Sequence, residues 1–245
     1  MTQLSSSPPA SALLALTARL RRHIAWCRRR PLLAPFLYLC GLCPLAMLVL
    51  DKPLALAIKR GVDPDLFGFF QTITPLGLSG GWFALSGIAT LGCLILWKRA
   101  LGIPARERFL ALAWSWGFFL AAQASSGLFV MVVKRVIGRL RPRLLFNDGL
   151  YGFKPLSFAS GAESFPSGHS QTVWAAMTAL MVLFPRHWPW FLGTAVLVTL
   201  SRVVITVHYL SDTLMGAYIG LFAVVVLRPW FERGRPGALR IGKPL

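Results

Sequence analysis

Residues 189–228 read PWFLGTAVLVTLSRVVITVHYLSDTLMGAYIGLFAVVVLR, an almost unbroken apolar run of 40 residues. About 20 helical residues cross a hydrocarbon layer of ~30 Å, so this run is twice the length of one crossing. It is therefore expected to fold back once. The polar group His208-Tyr209-Leu210-Ser211-Asp212 lies at its middle and is the natural turn. One long helix is the alternative. In lipid, backbone N–H and C=O groups must be satisfied within the segment, so both halves are expected to be helical.

The rest of the chain extends the pattern. With 56% hydrophobic and only 14% charged residues, an ordinary soluble domain is excluded. The apolar residues fall in blocks of membrane length at 32–50, 78–97, 109–133, 168–184, 189–207 and 210–228. The expected fold is an all-α, polytopic membrane protein: a six-transmembrane-helix bundle over 32–228. A basic N-terminal segment (1–31) and a basic tail (229–245) flank it.

A net charge of +18 invites a nucleic-acid partner, but the charges are placed otherwise. Sixteen of the 26 Lys and Arg residues lie in the N-terminal segment, the 98–108 loop, Arg186 and the stretch from Arg228 onward. In a six-span topology these share one side, which an excess of Lys and Arg marks as cytoplasmic. Trp26, Trp97, Trp188, Trp190 and Trp230 sit at the same interface. Both termini are expected in the cytoplasm, and no nucleic acid is expected as a partner. The far side holds Lys134, Arg135, Arg139, Arg141, Arg143 and Lys154 in one short stretch. Cations placed against the topological trend point to an anionic ligand.

In 1–31 the apolar Ala10–Ala18 stretch precedes the arginines, the reverse of a secretory signal. Leu13, Leu16, Leu20 and Ile24 recur at helical spacing, as in a helix lying on an anionic leaflet. A disordered basic tail is the other reading. The mixed 51–77 connection could form an amphipathic helix, a lid or a gate for lipid. The 143–165 stretch reads as a turn-rich connection. Cys40 and Cys43 form a C-x-x-C inside an apolar block with no second ligand pair, so they read as packing. Gly216 and Gly220 form a GxxxG packing face.

Three clusters carry chemistry. Lys134 and Arg141 in KRVIGRLRP are nearly two helical turns apart, with Gly138 between them leaving room for a bulky anion. Pro142 is expected to end that span. Cations that merely complement a helix C-terminus are the plainer reading. In Pro166-Ser167-Gly168-His169, just before a span, exposed N–H groups and the Ser167 hydroxyl suit phosphate oxygens. His169 stands ready to give a proton to a leaving oxygen; Ser167 as an N-cap is compatible with both. In SRVVITVHYLSD, His208 and Asp212 are four apart, on one face if helical. A carboxylate on one ring nitrogen makes the other a better nucleophile. An Asp at a span's edge is a functional candidate in its own right. Arg202 converges with His208 only if the chain turns between them. All three clusters fall on the outward side. His23 and His187 fall on the other and read as bystanders.

Lys134-x6-Arg141-Pro142, Pro166-Ser167-Gly168-His169 and Ser201-Arg202-x5-His208-x3-Asp212 resemble the three-part signature of the type 2 phosphatidic acid phosphatase and vanadium haloperoxidase superfamily. The resemblance covers roughly 134–220 with no motif position substituted. It implies a membrane lipid phosphatase with an extracytoplasmic site in the bacterial cytoplasmic membrane. It also implies a metal-independent double displacement with no cofactor. His208 would form a phosphohistidine, Asp212 would orient it, and His169 would protonate the leaving lipid oxygen and later activate water. Lys134, Arg141, Ser167, Gly168 and Arg202 would hold phosphoryl oxygens. The implied partner is a membrane lipid phosphate or diphosphate: isoprenyl diphosphate, a lipid A phosphate or a phosphatidate-type lipid. Arg135, Arg139, Arg143 and Lys154 suit a polyanionic head group. A lipid-phosphate binder or carrier that has lost catalysis is the rival from another class; it would not need both histidines and Asp212.

Overall fold

The computed structural model describes residues 10–235 and 237–239. Residues 1–9 of the expected N-terminal segment, and 236 and 240–245 of the expected tail, lie outside the described residues. Every regular element among the described residues is helical: α1 (Ala10–Arg29), α2 (Leu33–Val49), α3 (Asp51–Gly61), α4 (Pro64–Ile73), α5 (Ser79–Arg99), α6 (Ile103–Ile137), α7 (Pro142–Asp148), α8 (Gly168–Leu183), α9 (Trp188–Val204) and α10 (Leu210–Gly234), with short 3-10 turns at Thr74–Gly77 and Pro185–His187.

The chain divides into two compact units, Met1–Gly41 and Leu42–Leu245. In the first, α1 ends on Arg28 and Arg29, which complement its C-terminal dipole. His23 stacks on Trp26 and hydrogen-bonds the Tyr38 hydroxyl.

The second unit holds the site. Helices coincide with the apolar blocks read from the sequence, and the 40-residue run breaks between α9 and α10. Pro64–Arg99, Ile103–Ile137 and Leu210–Gly234 are long and apolar enough to cross a membrane unaided. The paired segments Thr17–Arg29 and Leu33–Val49 make a fourth if they form one broken span. α8 and α9 are shorter, at 16 and 17 residues.

Local chemistry sets the boundaries. Asp63 caps α4 by accepting from Asp65 N at 2.8 Å, with Pro64 in the first turn. α6 stops at Gly138, which takes the left-handed conformation at φ 61°. A Cβ there would lie 1.8 Å from the Lys154 carbonyl oxygen, so no residue but glycine fits. The α6 helix therefore ends before Arg141, and Lys134 and Arg141 are not on one continuous helix. The space beside Gly138 is filled by the 154–155 backbone rather than left open for an anion. The stretch expected as a loop from 143 opens instead with α7, stopped by left-handed Gly149.

α8 is the central helix, packed by α6, α9 and α10, while α5 lies along α6. Its Val173, Ala175, Ala176, Ala179 and Leu183 are fully buried against Phe118 and Phe119 of α6, Val198 of α9 and Val224 of α10. Small residues let these backbones approach, the source of helix affinity when lipid removes the hydrophobic drive. On α10, a Cβ at Gly216 would come within 2.3 Å of Ser167 O, and one at Gly220 within 2.3 Å of Gln171 O. The GxxxG pair is thus a close packing face, as its spacing predicts.

Candidate active site

The three sequence clusters meet at one end of α6, α8, α9 and α10. His208 lies in the turn between α9 and α10, its backbone N–H held by the Arg202 carbonyl at 3.1 Å. It precedes α10 rather than riding on it, whereas Asp212 sits in the first turn of α10. The expected shared helical face is therefore absent, yet the turn brings them together. Nδ1 of His208 lies 3.6 Å from Asp212 Oδ2 and 3.5 Å from Ser164 Oγ. The first distance is beyond a hydrogen bond, and catalytic contacts of this kind tighten when ligand binds. Burial, aided by the charges of Lys134 and Arg141 and opposed by Asp212, pushes the His208 imidazole down to about 3. The ring is neutral near pH 7, and with Nδ1 turned to Asp212 the Nε2 lone pair is available to an electrophile.

Asp212 is fully buried and fully engaged. Oδ2 accepts from Ser164 Oγ at 2.6 Å and from Tyr209 N at 2.9 Å; Oδ1 accepts from Arg139. Its backbone carbonyl accepts from Ser167 N at 2.9 Å, which ties α10 to the start of α8. Ser167 caps α8 and Ser170 donates back to it. The first N–H groups of α8 thus lie beside Asp212.

The cations lie near this turn. Lys134 Nζ donates to the Glu163 carbonyl at 2.7 Å. A Cβ on Gly168 would lie 3.8 Å from Lys134 Cε, so Gly168 keeps that approach open. Arg141 pairs with Glu163, Nε to Oε1 at 3.2 Å, though the N–H is not aimed for a hydrogen bond. Arg202 donates to Thr74 Oγ1, and its buried Nε finds no protein partner. His169 lies where a Cβ on Gly77 would sit 2.9 Å from its own Cβ, and it feels the charges of Arg202, Arg141 and Lys134. All eight residues singled out in the sequence are thereby linked around one site.

Arg139 does something else. It is 1% exposed and does not face a head group, so the expectation placed on it is corrected. Nη1 reaches Ser211 Oγ at 2.8 Å and Asp212 Oδ1; Nη2 reaches Asp51 Oδ2 at 2.9 Å and Tyr151 OH at 3.1 Å. The guanidinium also stacks on Tyr209, 4.2 Å from the ring centroid. Burial alone would lower its pKa; Asp212 and Asp51 outweigh that and raise it, so Arg139 is permanently charged. Arg135 lies over the Phe158 ring and Arg143 donates to Ser160 Oγ at 2.7 Å.

Sequence reading missed Asp51, Thr74, Gly77, Glu163 and Ser164. Asp51 had a signal, since it too is a carboxylate at the edge of an apolar span. The others sit in connections without distinctive spacing. Among the described residues, no group of three or more His, Cys, Asp or Glu could hold a metal ion.

The family model described as the PAP2 superfamily matches residues 112–236. A lipid A 1-phosphatase of Rhizobium johnstonii is 40% identical over 195 residues, covering 77% of this chain and 76% of that protein. A lipid A 1-phosphatase of Rhizobium etli is 30% identical over 182 residues, covering 74% and 77%. Among solved structures, the PAP2-type phosphatidylglycerolphosphate phosphatase of Bacillus subtilis shares the fold at a TM-score of 0.61 and 24% identity, covering 84% of this chain and 98% of that one.

Proposed function

The chain belongs to the PAP2 superfamily, and we propose that it is a membrane lipid phosphatase that removes the 1-phosphate of lipid A on the extracytoplasmic face of the inner membrane. The observation that carries the reading is buried His208, with Asp212 and Ser164 at its Nδ1 and its backbone N–H held by the Arg202 carbonyl. Both Rhizobium relatives, alike over most of their length, support the choice of lipid.

The proposed topology has six crossings, α2, α5, α6, α8, α9 and α10, with both termini cytoplasmic. It rests on the six apolar blocks and on the side that holds most of the Lys and Arg. Exposed Leu42, Leu45 and Leu48 on α2, Leu85, Ile88 and Leu91 on α5, and Leu128, Phe129 and Met131 on α6 suit lipid contact.

Nε2 of His208 attacks phosphorus, and the bond from phosphorus to the lipid oxygen breaks. That oxygen leaves with a proton from His169. The phosphohistidine is then hydrolysed by water, whose proton His169 takes back, and inorganic phosphate departs. Lys134, Arg141, Arg202, Ser167 and the Gly168 backbone hold the three phosphoryl oxygens as their charge redistributes. Asp212 steadies the imidazolium. No step calls for a metal.

Purified protein in detergent, with chelator present, should release phosphate from lipid A in preference to isoprenyl diphosphate or phosphatidylglycerol phosphate. His208→Ala should lower turnover by at least ~1000-fold while lipid binding persists. Phosphate release from none of the three lipids would overturn the assignment. Binding without turnover would favour the carrier.

A further inference from the structure

The His208–Asp212 pair is not a closed unit. Arg139 bridges Asp212 to a second carboxylate, Asp51 at the start of α3, and all three side chains are essentially sealed from solvent. Ser211 closes the ring: its hydroxyl donates to Asp51 Oδ2 and accepts from Arg139 Nη1, while its N–H donates to Asp51 Oδ1 at 3.2 Å. Arg139 alone would cancel the charge of Asp212, and a neutral pair attracts an imidazolium weakly. With Asp51 included, two carboxylates face one guanidinium, so the array that touches His208 carries one net negative charge of its own.

We infer that Asp51, acting through Arg139, is a positioning residue that leaves Asp212 its net charge for the phosphorylated His208 ring. The inference rests on His208 being the nucleophile. When its Nε2–phosphorus bond forms and the phosphorus–lipid oxygen bond breaks, the neutral imidazole becomes an N-phosphoryl imidazolium that keeps its Nδ1 proton. The positive charge then appears in a buried site, where an uncompensated charge is severely disfavoured. The surplus negative charge of the Asp51–Arg139–Asp212 array offsets it. Through this array, α3 in the 51–77 connection acts on the reaction without touching substrate.

The test is rapid-quench measurement of the phosphoenzyme burst with radiolabelled lipid A in detergent micelles. Asp51→Asn should slow the burst about 10- to 100-fold, the range for outer partners of a reacting group. KM and inhibition by inorganic phosphate should stay within about twofold, because the cations that hold phosphate are untouched. Asp51→Glu keeps the charge and should restore most of the rate. A merely structural Asp51 would lower burst amplitude, in step with lost folded protein, and leave its rate alone. Should Asp51→Asn not fold, Arg139→Lys serves. It preserves the net charge, so the burst should slow by less than ~10-fold, and a loss as complete as that of Asp212→Asn would overturn the inference. A wild-type phosphoenzyme together with an unchanged Asp51→Asn burst rate overturns this inference alone. No wild-type phosphoenzyme, or turnover by His208→Ala, overturns the nucleophile assignment and this inference with it.

Discussion

An unfolded chain protonates His208 near its ordinary value of about 6.5, whereas the buried ring, pushed down to about 3, does not take the proton. Between those values the unfolded state binds more protons, so stability rises with pH. The contribution is complete above about 6.5 and is lost as pH falls toward 3, with a slope of at most ~1.4 kcal/mol per pH unit. His208→Gln should therefore flatten the loss of thermal stability on acidification from pH 7 to 5. An equal loss in wild type and variant would contradict the burial argument. Arg139 shows where residue-level reading fails. Within KRVIGRLRP it is one of four similar cations, and sequence spacing cannot tell which turns inward. That choice is made by Asp51 and Asp212, 88 and 73 positions away.

The helices themselves were legible because membrane-length apolar blocks leave little other choice, and the break at 205–209 fell where polarity predicts. Helix ends were less so. Pro142 advertised a stop for α6, yet Gly138 imposes it four residues earlier because the 154–155 backbone occupies the space. The α8–α10 contact offers a sharp test. Gly216→Ala places a methyl against Ser167 O, so it should lower both thermal stability and kcat, by roughly 1–3 kcal/mol of stability for an overpacked contact. Gly193→Ala on α9, with nothing within 4 Å, is the control and should leave both unchanged. A silent Gly216→Ala would mean that the two helices do not pack this closely.

For the whole molecule, apolar side chains face outward along α2, α5 and α6, while the polar and charged network is gathered at one end of the helices of the second unit. This inversion of a soluble protein is what the composition foretold. What composition could not reveal is which connections serve the site, since 51–77 and 149–167 carry no periodic signal and are recruited only by tertiary contact. The proposed sidedness rests on the Lys and Arg distribution. In inside-out and right-side-out vesicles of a variant without its native cysteines, Phe158→Cys should react with an impermeant thiol reagent from outside and Arg186→Cys from inside. Labelling of both from one side would reverse or break the proposed topology.

The short 3-10 turn Thr74–Gly77 touches Arg202 through a hydroxyl and His169 through a missing side chain. One turn of backbone therefore indexes the proposed anion clamp and the proposed proton donor at once. A substitution in this turn would reach both side chains at once without altering any signature residue.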